Sequence, residues 1–278
     1  MATIVENTAI IPEVWKMVFQ APKTASEAKA GQFVNVHRDG GQTFLRRPFG
    51  IVDADVEAGT VTIIYRLVGI GTEEMKALRP GDVLNVEGPL GDGIFTTTPG
   101  KVLLAGGGVG LAPLIFLAKQ LDHPIVLVAG KTAAETFWTE FFEPYAEQIY
   151  VTTDDGSKGI KGFAVDALPT IFSEHPIDRV SVCGPTMMMK TIAEGSAKAG
   201  IDCEVSMEKR MACGIGVCLG CTFESKQDGK RYKVLYRRSC LFGKGGFLMI
   251  SERIAVEFAG IFHENAGYGR IRYLRIRH

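Results

Sequence analysis

The stretch KVLLAGGGVGLAPLIFLAKQL, from Lys101 to Leu121, leaves a chain little freedom in how it folds. An apolar run is followed by three consecutive glycines, and then by a proline at the head of a second apolar run. Glycines punctuate regular structure and proline fits the first turn of a helix, so the segment reads as buried strand, tight turn and helix. The run from Val102 to Ala118 approaches the length of a membrane span, but its glycines and proline favour the strand–turn–helix reading. The rhythm then continues. PIVLVAG, QIYVTTDD and RVSVCG read as strands; ETFWTEFFEPYA, AVDALPTIF (with a proline interruption) and TMMMKTIAEGSAKAG read as helices. This alternation predicts an α/β unit, a doubly wound parallel sheet with helices on both faces.

Upstream the period is different. Between residue 3 and about residue 98, GQFVNVHR, TVTIIYRLVG and GDVLNVEGPLG read as strands, with PGD and EAGT as turns between them. One short helix, around TEEMKALRP, stops at Pro80. Strands at this spacing predict a small antiparallel β barrel, and TTTPG (Thr96 to Gly100) reads as the linker leaving it. The expected organisation is a barrel over 1–98, a nucleotide-type α/β domain over 99–203, a glycine-rich cysteine segment over 204–240 and a tail over 241–278.

Charge narrows the partners. Lys plus Arg and Asp plus Glu both number 31, so neither nucleic acid nor an anionic membrane gains support. MATIVENTAI has no basic or apolar leader character, and four of six cysteines fall between Cys213 and Cys240, with Cys183 and Cys203 apart. That is clustering for a metal rather than a disulfide framework, and it suits a reducing cytoplasm.

Three motifs point to ligands. Gly108, Gly110 and Pro113 form a glycine loop at a strand-to-helix turn, where backbone N–H groups can approach a pyrophosphate; a tight turn without a ligand is the alternative. Cys183, Gly184 and Pro185 end a later strand of the same sheet and should face the same crevice, unless they merely end the strand. In the barrel, LRRPFGI, IIYR and GIGT place arginines and aromatics beside glycine turns. That set suits a phosphate clamp flanking a flat ring, or equally core aromatics with surface arginines.

RMACGIGVCLGC carries the sharpest signal. Cys213, Cys218 and Cys221 stand at C-x4-C-x2-C, the plant-type [2Fe–2S] spacing, whereas structural zinc usually takes two C-x2-C pairs or histidines. The intervening glycines let the loop wrap close and present N–H groups to sulfur. Zinc and inert thiols remain the alternatives at this point.

Together these residues resemble the electron-transfer subunits of the bacterial, NAD-dependent class B dihydroorotate dehydrogenases, a branch of the ferredoxin-reductase superfamily. The likeness runs from about residue 3 to about residue 234 and includes GPLGDG and CEVSMEKRMACGIGVCLGC. It implies FAD on the barrel, held by Arg47, Pro48, Phe49, Gly50, Ile64, Tyr65, Arg66, Gly71 and Thr72. Gly50 stands where the family's R-P-x-S motif has a serine, so one hydroxyl contact is missing. It implies NAD at Gly108, Gly110, Pro113, Cys183, Gly184 and Pro185, and a [2Fe–2S] cluster on Cys213, Cys218 and Cys221. The family's partner is an FMN-containing catalytic subunit that oxidises dihydroorotate to orotate in pyrimidine biosynthesis, in a heterotetramer of two subunits of each kind. Electrons then run through the cluster and FAD to NAD⁺. Other NAD(P)H-linked complexes, of sulfhydrogenase or ferredoxin–NADP reductase type, share these parts.

The resemblance fails at the fourth ligand. The family places a cysteine about fourteen residues after the third, in a tail reading roughly V-C-x-x-G-P-V-F. Here Leu235 occupies that place and Cys240 lies five positions later. Back-translating VLYRRSCLFGKGGFLM and deleting one T after the valine codon yields V-C-T-E-G-P-V-F-L-G-K-E-V-F and a stop. A one-base insertion therefore accounts for everything from Leu235 onward. The competing expectation keeps Cys240 as the fourth ligand on a longer loop.

Overall fold

The computed structural model describes residues 1–224, 231–234 and 239–242. Strands β1 (Ala2–Ile11), β2 (Val14–Gln20), β3 (Phe33–His37), β4 (Arg47–Asp55), β5 (Thr60–Arg66) and β6 (Val83–Leu90) form a closed barrel in the order β1-β2-β5-β4-β3-β6. Antiparallel pairing of Ala2 with Leu84 and Thr3 with Val83 closes it. Along β5, Val61, Ile63 and Tyr65 fill the barrel, as the two-residue strand period requires. Ile64 breaks the alternation of burial because the second domain covers it, in a cavity of about 310 Å³ shared with Ile115 and Lys119.

The barrel carries two helices rather than one: α1 (Pro22–Glu27), opened by its proline, and α2 (Ile70–Lys76). Helix α2 ends four residues before Pro80 for a local reason. Asn7 Nδ2 donates to the carbonyls of Met75 (2.9 Å) and Leu78 (3.0 Å), giving the helix end a partner outside the helix.

The second domain contains β7 (Val102–Gly107), α3 (Ala112–Ala118), β8 (Ile125–Gly130), α4 (Thr139–Phe142), β9 (Gln148–Thr153), β10 (Ile160–Lys161), α5 (Leu168–Glu174), β11 (Arg179–Cys183), α6 (Thr186–Lys198) and β12 (Asp202–Ser206). β13 (Thr222–Glu224), β14 (Arg231–Lys233) and β15 (Ser239–Phe242) follow. The sheet order is β10-β9-β8-β7-β11-β12-β15, parallel except for β15, so strand order reverses between β7 and β11. Ligands of such sheets sit at the carboxyl ends of the strands at that reversal.

Three expectations need correction. The helix read in ETFWTEFFEPYA is a 3-10 turn at Ala133–Thr136 and the single turn α4. Phe137 and Trp138 stack on each other with centroids 4.8 Å apart, a contact that consecutive residues of a regular helix do not make. Pro169 opens α5 in its first turn instead of interrupting it. The sheet also runs on through Ser206, three residues past the expected boundary at 203.

One core fills the barrel and continues onto α3 and one face of the sheet. The other face packs α5 and α6, and its core also takes Phe33 from the barrel with Met211, Cys221, Phe223 and Val234 from the cysteine segment. The linker is fastened by buried charge. Glu204 accepts from Thr96 N (3.2 Å), Thr96 Oγ1 and Ser181 Oγ (3.0 Å), while Arg179 Nη2 donates to the Thr96 carbonyl (2.9 Å). Among the described residues no helix is long and apolar enough to cross a membrane.

Candidate functional site

Arg47 begins β4 and lies over the start of α2: a Cβ on Gly71 would sit 3.0 Å from its Nε. Its Nη1 donates to the Leu45 carbonyl, which steadies the guanidinium beside that turn. Thr72 spends its hydroxyl on the same turn, accepting from Val68 N (2.9 Å) and donating to Gly69 O (2.9 Å). A planar cation held over the first turn of a helix is chemistry for a phosphate or pyrophosphate.

The other barrel residues divide by role. Tyr65 is fully buried and donates its hydroxyl to Asn7 Oδ1 (2.9 Å); burial raises its pKa far above the ordinary phenol. Through Asn7, which also holds the end of α2, Tyr65 supports the turn that bears Gly71 and Thr72. Asn7 was not legible as such a residue, because its partners lie 58 to 71 positions away. Arg66 pairs with Glu13 at 3.0 Å on the surface, and Ile64 faces the interdomain cavity. Phe49 tilts against Tyr65 with ring centroids 5.9 Å apart, and Pro48 stands opposite Asn35 of β3.

At the sheet's reversal, the loop after β7 and the loop after β11 touch. A Cβ on Gly110 would fall 2.5 Å from Gly184 Cα and 2.8 Å from the Cys183 carbonyl, so only a residue without one lets the loops close. Pro185 directly precedes α6, and Pro113 lies in the first turn of α3. The two helix starts therefore converge on one crevice with glycine backbone between them, the arrangement that takes a dinucleotide pyrophosphate. Gly50 explains itself here. A Cβ at Gly50 would lie 3.2 Å from Pro113 Cβ, so the barrel strand bearing Arg47 presses against the start of α3 where a serine would crowd it.

In the cysteine segment, Cys218 N donates to Cys213 Sγ at 3.4 Å. That N–H, with those of Ile215 and Val217 behind it, pulls the Cys213 thiol down to about 6, so it is a thiolate at neutral pH. Cys221 is buried in the second core, and Val234 N donates to its carbonyl at 2.9 Å. Among the described residues no three of His, Cys, Asp and Glu close on a single ion. A thiolate already cradled by backbone N–H groups, first of three cysteines at the C-x4-C-x2-C spacing, fits an iron–sulfur cluster, whose sulfurs take such donors. The backbone of Cys240 pairs with that of Val205 on β12. Leu235 lies outside the described residues.

A β barrel with a cation over a helix start, packed on a doubly wound sheet with a glycine crevice and followed by a thiolate loop, defines a flavin- and pyridine-nucleotide-linked oxidoreductase with an iron–sulfur appendage. Residues 1–95 match the oxidoreductase FAD-binding domain family, and residues 208–241 match the iron–sulfur cluster binding domain of dihydroorotate dehydrogenase B. The chain is 38% identical over 242 residues to the dihydroorotate dehydrogenase B (NAD⁺) electron transfer subunit of Caldanaerobacter subterraneus subsp. tengcongensis, covering 87% of this chain and 95% of that one. It is 36% identical to the Fusobacterium nucleatum protein of the same name, covering 84% and 93%. A structure of an NADH-dependent reduced ferredoxin–NADP oxidoreductase superposes with a TM-score of 0.80 at 29% identity, covering 96% of this chain and 98% of that one. The chain belongs to the family of dihydroorotate dehydrogenase B electron transfer subunits.

Proposed function

We propose that this chain carries electrons from the FMN of a dihydroorotate dehydrogenase catalytic subunit through a [2Fe–2S] cluster and FAD to NAD⁺, in pyrimidine biosynthesis. The observation that carries the reading is that two adjacent barrel strands meet both other sites. β4 reaches the nucleotide loop where Gly50 faces Pro113, and β3 reaches the cysteine loop where Asn35 faces Gly214. FAD, when bound, exchanges electrons singly or in pairs, which is the conversion that a one-electron cluster and a two-electron nicotinamide require. Arg47, with Gly71 and Thr72, binds the flavin's phosphates. Gly108, Gly110 and Gly184 admit the nucleotide's pyrophosphate between the starts of α3 and α6, and Pro113 sets the distance from that loop to the flavin strand. Cys213, Cys218 and Cys221 hold iron.

Ile215, Val217 and Leu219 interleave with the cysteines and are 48%, 77% and 69% exposed, an apolar tip on the cysteine loop. We place the catalytic subunit there, in a cytoplasmic heterotetramer of two subunits of each kind. Co-expression with an FMN-containing catalytic subunit tests the reading: dihydroorotate-dependent NAD⁺ reduction is expected from the pair and not from either chain alone. A pair that forms but leaves NAD⁺ oxidised overturns it. The superposition on the ferredoxin–NADP oxidoreductase favours a second reading, a subunit serving another NAD(P)H-linked complex. Electron flow to ferredoxin but not from dihydroorotate would select it.

We further propose that the sequence from Leu235 onward stems from a one-base insertion in the gene or its reading. The N–H of Val234 reaches Cys221, so the chain returns to the third cysteine one position before Leu235 and six before Cys240. Resequencing decides: a gene without the hidden C-T-E-G-P-V-F frame overturns this reading and leaves Cys240 as the fourth ligand.

A further inference from the structure

Asn35 is 1% exposed, and neither its Nδ2 nor its Oδ1 has a hydrogen-bond partner among the described residues. A buried carboxamide left with two donors and an acceptor unused is rare and calls for a partner. Alternation along β3 fixes where it points. Val34 and Val36 belong to the barrel core, while Phe33 belongs to the core shared with Met211, Cys221 and Phe223 of the cysteine segment. Asn35, two residues after Phe33, faces the same way.

Its target is the cysteine loop. A Cβ built on Gly214 would lie 1.7 Å from Asn35 Nδ2, and the three atoms nearest to that Cβ all belong to Asn35. Gly214 has φ +68° and directly follows Cys213, so this glycine both takes the left-handed turn and makes room for the amide. On its own strand's flank, Asn35 stands opposite Pro48, in the strand that starts with Arg47. One residue thus pairs with the Arg47 strand through its backbone and meets, through its side chain, the glycine that follows the first cysteine.

We propose that Asn35 is a positioning residue of the electron route, its amide N–H donating toward the sulfurs held at Cys213. This rests on the cluster reading above. An N–H donor on sulfur stabilises the more negative, reduced state, so it raises the cluster's potential. The sequence offers no motif for it; only the orphaned amide marks it.

The test is a redox titration followed by EPR, on the protein expressed from its own gene and reconstituted with iron, sulfide and FAD. The variants are Asn35→Leu, which removes the polar group, and Asn35→Asp, which keeps the shape without the N–H donors. Both should shift the cluster midpoint to more negative potential, Asn35→Asp at least as far, with the FAD midpoint unchanged. Cluster loss from both variants with FAD still bound also supports the link. Wild-type cluster potentials in both variants, a shift in Asn35→Leu alone, or loss of FAD together with the cluster overturns it, since Asn35 would then serve only the barrel's packing. A chain that takes no cluster even with Leu235→Cys, which restores the family's fourth ligand position, overturns the cluster reading itself, and this inference falls with it.

Discussion

Arg47 and Arg66 leave the same barrel toward different partners, and the difference is testable. Arg47 lies over Gly71, whereas Arg66 is tied to Glu13 in solvent. Charge-assisted hydrogen bonds contribute about 1.5–3 kcal/mol, so Arg47→Ala should weaken FAD binding by about 10- to 100-fold. Arg47→Lys should recover only part, because an ammonium lacks the planar fork. Titration of the apo chain with FAD measures both, and unchanged affinity in Arg47→Ala would remove Arg47 from the site. The cysteines divide in the same way. Cys213 is drawn down to about 6 by the Cys218 N–H, and burial pushes Cys203 up to about 12. The thiolate is the reactive form, so alkylation of Cys213 in the metal-free chain should rise through pH 6 and level off above it, while Cys203 stays unmodified at pH 8. Mass spectrometry of iodoacetamide-treated protein across pH 5–9 checks this; a Cys213 rate still climbing at pH 9 contradicts it. A lowered thiol pKa also stabilises the folded loop above the ordinary thiol range, an effect lost as pH falls through about 6.

At the scale of elements, the two loops at the sheet's reversal work only because they touch. Gly110→Ala inserts a methyl 2.5 Å from Gly184 Cα, so the loops must part. We expect NAD(H) affinity to fall by about tenfold or more, roughly 1.4 kcal/mol, with FAD binding intact. Calorimetric titration with NADH reads this, and wild-type affinity would show that the crevice does not need the contact. The elements also show what a sequence reveals and what it hides. The strand–glycine–proline–helix run at Lys101 to Leu121 was legible because each step is punctuated locally by residue type. The break of the helix expected in ETFWTEFFEPYA into two single turns was not, because hydrophobic periodicity does not encode the stacking of Phe137 on its neighbour Trp138. The burial of Ile64 and the end of α2 likewise depend on contacts from distant segments. Of the candidate site, the residues proposed from compact motifs (Arg47, Gly110 and the three cysteines of the loop) stand out in the sequence alone. Asn7, Asn35 and Glu204 could not, since each acts on partners far along the chain.

For the whole molecule, the linker is where domain orientation is set. Glu204 and Arg179 are 1% and 9% exposed and grip Thr96 from the second domain. Removing one partner of a buried pair strands the other, at about 3–5 kcal/mol. Glu204→Ala should therefore lower the melting temperature by roughly 6–20 °C, whereas Glu204→Gln, which keeps an acceptor for Thr96, should cost less. Equal melting temperatures for wild type and Glu204→Ala in calorimetry would deny the pair that role. The same orientation brings β4 against the nucleotide loop and β3 against the cysteine loop, and the central claim is that electrons cross the molecule there. Anaerobic addition of NADH to the reconstituted chain, followed at once by flavin absorbance and by EPR, tests that most directly. The flavin should bleach and a reduced [2Fe–2S] signal should then grow, and that signal should not appear when FAD is stripped. A flavin that bleaches while the cluster stays EPR-silent, though dithionite reduces it, would mean that electrons do not pass between flavin and cluster in this chain.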